Sequence, residues 1–143
     1  MEKSKHSADI VQELSELMAA LLTMKKSGKY QQAINLIDDT LVKHFDFDTQ
    51  NMNAVSEDFL NRIYQQKQDV TPAVNDSFAR LLSEKGDLLY AQNRFEESRQ
   101  ILNNALTIYF LLNDQQQFFS FERMNKMVHI NEQLSRINLT RES

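Results

Sequence analysis

The chain has 143 residues, a formal net charge of −4 and no cysteine, which predicts one domain with its own hydrophobic core and excludes disulfides and thiolate-bound metals. No cluster of Lys and Arg is present to neutralise phosphates, so the sequence does not indicate nucleic-acid binding. The polar N-terminus and the lack of a long apolar run predict neither a signal peptide nor a membrane span, and we expect a cytoplasmic protein.

Residues 7–44 predict a pair of antiparallel helices. Apolar residues recur at steps of three and four between Ile10 and Met24, which is the pattern of one broad helix face. Gly28 follows two lysines and is typical of a helix end. A second helix over residues 30–44 has four inward apolar residues: Ala33, Ile34, Ile37 and Leu41. Because the connecting turn is short, the two helices must be neighbours.

Residues 45–70 separate this pair from the next and predict a loop followed by a short helix. The segment from Phe45 to Val55 has no helical period, and we interpret Phe45 and Phe47 as anchoring rings. Ser56 is typical of an N-cap, since two carboxylates follow it in the first turn of the predicted short helix.

Residues 71–112 predict a second helix pair, and residues 115–138 predict a final helix. Thr71 followed by Pro72 is a strong signal for a helix start. This helix is expected to run to about Gln92. Asn93 ends it, because Asn tolerates the left-handed backbone of a tight turn, and the fourth helix begins after that turn. The chain has only two glycines and one proline, so the sequence predicts an all-α fold.

The two helix pairs share a sequence pattern at their turns. A turn residue is followed two places later by an aromatic residue, three places after that by a small residue, and then by apolar residues at helical steps. The two segments are Gly28-Lys29-Tyr30-Gln31-Gln32-Ala33 and Asn93-Arg94-Phe95-Glu96-Glu97-Ser98. This pattern resembles the tetratricopeptide repeat, a helix-turn-helix unit of about 34 residues.

That resemblance implies packing roles for seven residues. The aromatic residue packs between the two helices of a unit, and the small residues allow the helices to approach closely. The residues are Gly28, Tyr30, Ala33, Gly86, Phe95, Ser98 and Ala105. The first unit departs from the pattern, because Leu21 replaces the glycine of the first helix and Thr40 replaces the late alanine of the second. The resemblance therefore implies two degenerate repeats.

The whole layout is similar to an uncharacterised bacterial family of tetratricopeptide-like domains of unknown function. The Leu-rich first helix, the segment Ser56-Glu57-Asp58 and the pair Gly86-Asp87 carry this similarity. It implies a single domain over residues 1–143, in which antiparallel helix pairs form a superhelix with a C-terminal capping helix. It implies no known activity.

One segment has the spacing of a calcium loop. Four oxygen-bearing residues fall on its ligand positions: Asp46, Asp48, Gln50 and Glu57. Asn51, however, replaces the glycine that such a loop needs for its sharp turn. We therefore interpret the segment as a polar loop that leads into a helix cap.

No other group of residues indicates catalytic or metal chemistry. His129 and Glu132 lie three residues apart on one helix face, a spacing that is more typical of a solvated contact than of a metal site. The sequence contains no Gly-rich phosphate loop and no nucleophile elbow. We expect no catalytic residues, no cofactor and no bound metal.

The apolar residues of the last helix fall on two stripes. The first consists of Phe118, Phe121, Met124 and Val128, and the second of Phe119, Met127, Ile130, Leu134 and Ile137. One stripe can cover the preceding helix pair, and the other is then exposed. We predict the second stripe as the interface of a two-fold homodimer. The alternative is that residues 45–64 fold back over it.

The predicted function is a non-enzymatic interaction module that binds a peptide or a partner helix. A small structural homodimer is the alternative, and a small-ligand protein or enzyme is less favoured. Some tetratricopeptide domains bind the C-terminal carboxylate of chaperone peptides. The matching positions here are Met18, Leu22, Arg80, Ser83 and Glu84, which do not suit such a tail, so we predict that acidic chaperone tails do not bind.

Overall fold

The computed structural model describes residues 2–45, 47, 72–115 and 120–142. Their α-helices are α1 (Glu2–Lys26), α2 (Tyr30–Phe45), α3 (Pro72–Ala91), α4 (Phe95–Gln115) and α5 (Phe121–Glu142). No β-strand occurs in these ranges, which confirms the predicted all-α class. None of the helices described is long and apolar enough to cross a membrane.

The last helix begins later in the chain than predicted. α5 starts at Phe121, because Ser120 caps it: the Ser120 Oγ accepts a hydrogen bond of 3.1 Å from the backbone N–H of Arg123. The short helix predicted to begin at Ser56 lies outside the described residues.

α1 and α3 end in the same backbone geometry. Gly28 and Asn93 have positive φ angles of 73° and 63°. After Gly28, the N–H of Lys29 donates a 2.9 Å hydrogen bond to the carbonyl of Met24, and the corresponding bond after Asn93 has the same length. This Schellman arrangement satisfies the last carbonyls of each helix and reverses the chain. The turns predicted at both positions are confirmed.

α3 is the central helix, because it contacts each of the other four. The hydrophobic core lies along it, with Phe78, Leu81, Leu82 and Leu89 almost fully buried. Burial of each such side chain contributes about 1.5–3 kcal/mol. The polar side of α3 is also bound to its neighbours, since Lys25 of α1 contacts Glu84 at 3.0 Å.

An aromatic cluster joins the end of α2 to α3. Phe45 stacks on Phe78 with ring centroids 4.8 Å apart, and Phe47 meets the same ring edge-on at 5.4 Å. Phe47 is buried, so the chain folds back onto the core directly after α2. The prediction that both rings anchor the chain is confirmed, although Phe45 belongs to the helix and not to a loop.

The residues to which the tetratricopeptide resemblance gives packing roles lie at the turn and the helix contacts of each pair. Tyr30 and Phe95 are partly buried at the start of α2 and α4. Ser98 donates a buried hydrogen bond of 2.7 Å to the carbonyl of Gly86, which joins α4 to α3. The small residues Ala33, Ser98 and Ala105 are fully buried, so both pairs pack closely at these positions.

Candidate functional site

The structure corrects the predicted orientation of α5. The stripe predicted as an intermolecular interface faces the chain's own core, with Ile130 and Ile137 fully buried, Met127 nearly so, and Leu134 packed against them. This stripe covers α3 and α4. The interface prediction is therefore wrong for Met127, Ile130, Leu134 and Ile137, and Phe119 lies outside the described residues.

Arg123 explains why α5 is oriented this way. Its side chain is 2% exposed and donates a 2.9 Å hydrogen bond to each carboxylate oxygen of Asp76 in α3. A third bond, of 3.0 Å, reaches Asn113 Oδ1 in α4. A buried guanidinium is very costly unless it is paired. The face of α5 that carries Arg123, and with it Met127 one turn later, must therefore face α3 and α4.

Two further polar contacts hold α5 on α3. Asp87 accepts a 3.0 Å hydrogen bond from Gln133 and lies 2.8 Å from the His129 Nε2. His129 is thus a structural contact between α5 and α3. No group of three or more His, Cys, Asp or Glu side chains among the described residues could hold a metal ion.

The opposite face of α5 exposes a row of apolar side chains, which we call the outer stripe: Phe121, Met124, Val128 and Leu139. At about 100° per residue these four positions lie on one side of the helix. Met124 is 40% exposed and Val128 is 48% exposed, and the other two are more exposed still. The first three belong to the stripe that the sequence assigned to the core.

Glu132 lies within the outer stripe, one turn after Val128. It is exposed and forms no ion pair or hydrogen bond with any residue in the described ranges. Arg136, one turn further, instead donates a 2.8 Å hydrogen bond to Gln133. Asn125, Asn131 and Ser135 lie beside or between the apolar residues of the stripe and are uncharged, so Glu132 is the charged residue that lies between Val128 and Leu139 on this side of the helix, with Arg136 at its edge.

A polar pocket of about 210 Å³ opens beside the first turns of α5. It lies where α3, α4 and α5 meet, and its lining residues are Asp76, Ser77, Arg80, Tyr109, Ser120, Glu122, Arg123 and Lys126. The pocket is smaller than the roughly 300–1,000 Å³ typical of sites for drug-sized molecules. It therefore has room for a small molecule or for a single chemical group of a larger one.

The two arginines of this pocket differ in whether their N–H groups form hydrogen bonds. Arg123 is fully paired with Asp76 and Asn113. The Nε of Arg80 is buried and has no hydrogen-bond partner in the described part of the chain. The carboxylate of the exposed Glu122 lies 3.7 Å from Nη1, too far for a hydrogen bond, and that of Asp76, one turn before Arg80, is paired with Arg123.

Tyr109 brings a hydroxyl group from α4 to the same pocket. Its side chain is almost fully buried. Burial, together with the nearby negative charge of Asp76, raises the pKa of Tyr109 far above its ordinary value of 10.0. The hydroxyl group is therefore protonated at physiological pH and can donate a hydrogen bond into the pocket.

Sequence reasoning did not identify this pocket. Arg80 was considered only as a position of a chaperone-tail site, and its expected companions Met18 and Leu22 on α1 do not line the pocket. The signal available in the sequence was a pair of arginines, Arg80 and Arg123, at inward positions of helices that are otherwise apolar inside. The calcium-loop positions Asp46, Asp48, Gln50 and Glu57 lie outside the described residues.

Comparison with known proteins adds no family to this description. No family model, no curated protein and no solved structure matches the chain.

Proposed function

We propose that the protein is a non-enzymatic interaction module, which binds an amphipathic helix of a partner protein on the outer stripe of α5. The observation that carries this proposal is the set of exposed apolar side chains at helical spacing, of which Met124 and Val128 form the centre. An amphipathic helix places its own apolar residues at the same spacing, so two such faces can pack along their length.

The charge of Glu132 supports a partner of a particular composition. A helix that packs on the stripe removes the Glu132 carboxylate from water, which is costly unless an opposite charge lies against it. Glu132 forms no ion pair with a described residue, and the neighbouring Arg136 is hydrogen-bonded to Gln133 instead. The partner helix is therefore one with a Lys or Arg about one turn away from its apolar anchors.

The same charge argues against a second copy of the chain as the main partner. If two α5 helices pack antiparallel about a two-fold axis near Val128, Glu132 of each copy lies against Met124 or Val128 of the other. If they pack in parallel, the two Glu132 carboxylates face each other and repel. A structural homodimer remains the second candidate function, since exposed apolar rows also occur at homodimer interfaces.

We propose further that the two helix pairs and α5 form a degenerate tetratricopeptide-like superhelix with α5 as its cap. The shared Schellman turns at Gly28 and Asn93 and the close contact at Gly86 support this proposal.

The proposed function is tested by selecting helical peptides from a displayed library against the purified protein. Counter-selection uses the variant Met124→Glu/Val128→Glu, which places charges on the stripe. We expect the enriched peptides to carry apolar residues at helical spacing and a Lys or Arg one turn away. The matched control is Asn103→Glu/Thr107→Glu, which adds the same charges at the same spacing on exposed positions of α4.

The control variant should bind the selected peptides as the unmodified protein does, and the stripe variant should not. The proposal is wrong if no peptides are enriched, or if the enriched peptides bind the stripe variant equally well.

A further inference from the structure

We infer that the polar pocket beside the first turns of α5 is a binding site for a carboxylate group. The inference goes beyond the proposed function, because the pocket is formed by side chains of three helices and not by the outer stripe. It rests on how the donors and charges of the pocket are arranged.

Arg80 supplies the main recognition element. Its guanidinium lines the pocket, its Nε is buried, and none of its nitrogens forms a hydrogen bond with a described residue. The Arg80 side chain as a whole is 39% exposed and lines the pocket, so a group that enters the pocket can contact the guanidinium. A guanidinium presents parallel N–H groups that match the two oxygens of a carboxylate.

Three other groups add donors or positive potential to the same pocket. The Tyr109 hydroxyl is protonated and makes no hydrogen bond within the described ranges. The Lys126 ammonium lies 3.9 Å from Glu84, too far for a hydrogen bond. Ser120 caps α5, so the N-terminal end of that helix, with its partial positive charge, lies at the pocket.

The charges of the pocket favour a carboxylate over a more highly charged anion. Arg80, Arg123 and Lys126 give three positive charges, and Asp76 and Glu122 give two negative ones. The Asp76 charge is matched by Arg123. The net charge of +1 suits a single carboxylate, whereas a phosphate dianion would meet repulsion from Glu122. A free organic acid and the C-terminus of a peptide both supply such a group.

Nuclear magnetic resonance titration of the full chain tests this inference, with the Arg80 Nε–H signal as a direct reporter. The probes are acetate, N-acetylglycine, N-acetylglycine amide and inorganic phosphate. We expect acetate and N-acetylglycine to shift this signal saturably, while the amide does not shift it and phosphate binds more weakly. Tighter binding of N-acetylglycine than of acetate assigns the site to a peptide C-terminus, and equal binding assigns it to free acids.

Variants separate recognition from folding. We expect Arg80→Gln to weaken N-acetylglycine binding about tenfold or more, and Tyr109→Phe to weaken it about twofold to tenfold. Glu122→Gln removes a competing carboxylate and should tighten binding, a gain that damage to the fold cannot produce. Arg99→Gln on the surface of α4 is the matched control and should have no effect. The inference is overturned if the amide binds as well as the acid, if phosphate binds more tightly, or if Glu122→Gln weakens binding.

Discussion

Gly86 in α3 lies directly against Leu102 in α4. A Cβ atom placed on Gly86 would be 2.5 Å from the Leu102 Cγ and closer still to its Cδ2. Leu102 is fully buried and cannot move aside freely. The glycine is therefore required for the distance between the two helices, although glycine inside a helix costs about 1 kcal/mol relative to alanine.

Enlarging residue 86 should destabilise the protein in proportion to the size of the new side chain. We expect Gly86→Leu to lower the free energy of unfolding by about 3 kcal/mol or more, and Gly86→Ser to lower it by less than half as much. Urea denaturation followed by circular dichroism measures both. As a control, Gly86→Ala combined with Leu102→Ala should cost less than the sum of the two single changes. Strict additivity would show that the two residues do not compete for space.

The buried ion pair between Arg123 and Asp76 gives a second prediction. Arg123→Met leaves the Asp76 carboxylate without its partner. We expect this change to lower the free energy of unfolding by about 2–4 kcal/mol, towards the lower end because Asp76 is partly exposed. Arg99→Met is the matched control, because Arg99 pairs with Glu96 on the surface of one helix, where such pairs contribute about 0.5 kcal/mol or less. Equal losses in thermal or urea denaturation would contradict the role given to Arg123.

The helices themselves could be predicted from the sequence, because their ends depend on local residues. Gly28 and Asn93 adopt the positive φ angles that their residue types favour, and the apolar spacing in α2 matches its buried face. The orientation of α5 could not be predicted in this way. Its two apolar stripes look alike in sequence, and the deciding residue, Arg123, is fixed by Asp76, which lies 47 positions away.

The pocket could not be predicted for the same physical reason. Arg80, Tyr109 and Ser120 lie on separate parts of the chain, and no local spacing connects them. Only the packing of α5 on α3 and α4 brings their side chains together. The tetratricopeptide resemblance concerns residues at turns and helix contacts, and it contains no information about the polar residues between α3 and α5.

Ionisation of Tyr109 gives a prediction about pH. Its pKa is raised in the folded protein, so the folded state holds the phenolic proton more tightly than the unfolded chain does. This contribution to stability is fully present below the unfolded pKa of about 10 and is lost as the pH rises above that value. The free energy of unfolding, measured by urea denaturation between about pH 9 and 11, should therefore decline as the pH rises. The decline should be less steep in Tyr109→Phe than in the unmodified protein. Identical slopes in the two proteins would contradict the burial of this hydroxyl.

The oligomeric state gives a prediction that separates the two candidate functions. Because Glu132 opposes self-association through the outer stripe, we expect a monomer in sedimentation equilibrium at high micromolar concentration. Glu132→Leu removes that charge and makes the stripe continuous, and it should promote dimers. Asn131→Leu beside the stripe is the control and should promote them less. A tight dimer of the unmodified protein, dissociated by Met124→Glu/Val128→Glu, would favour the structural homodimer.

The central claim is that the outer stripe binds a partner helix whose basic residue faces Glu132. The most direct measurement is a charge exchange, using a helical peptide obtained by the display selection. Calorimetry should show that Glu132→Lys weakens binding about tenfold or more, because like charges then face each other. Changing the basic residue of the peptide to Glu should restore binding to this variant. If Glu132→Lys leaves the affinity unchanged, or if the exchanged peptide does not regain it, the partner does not dock on this surface in the way proposed.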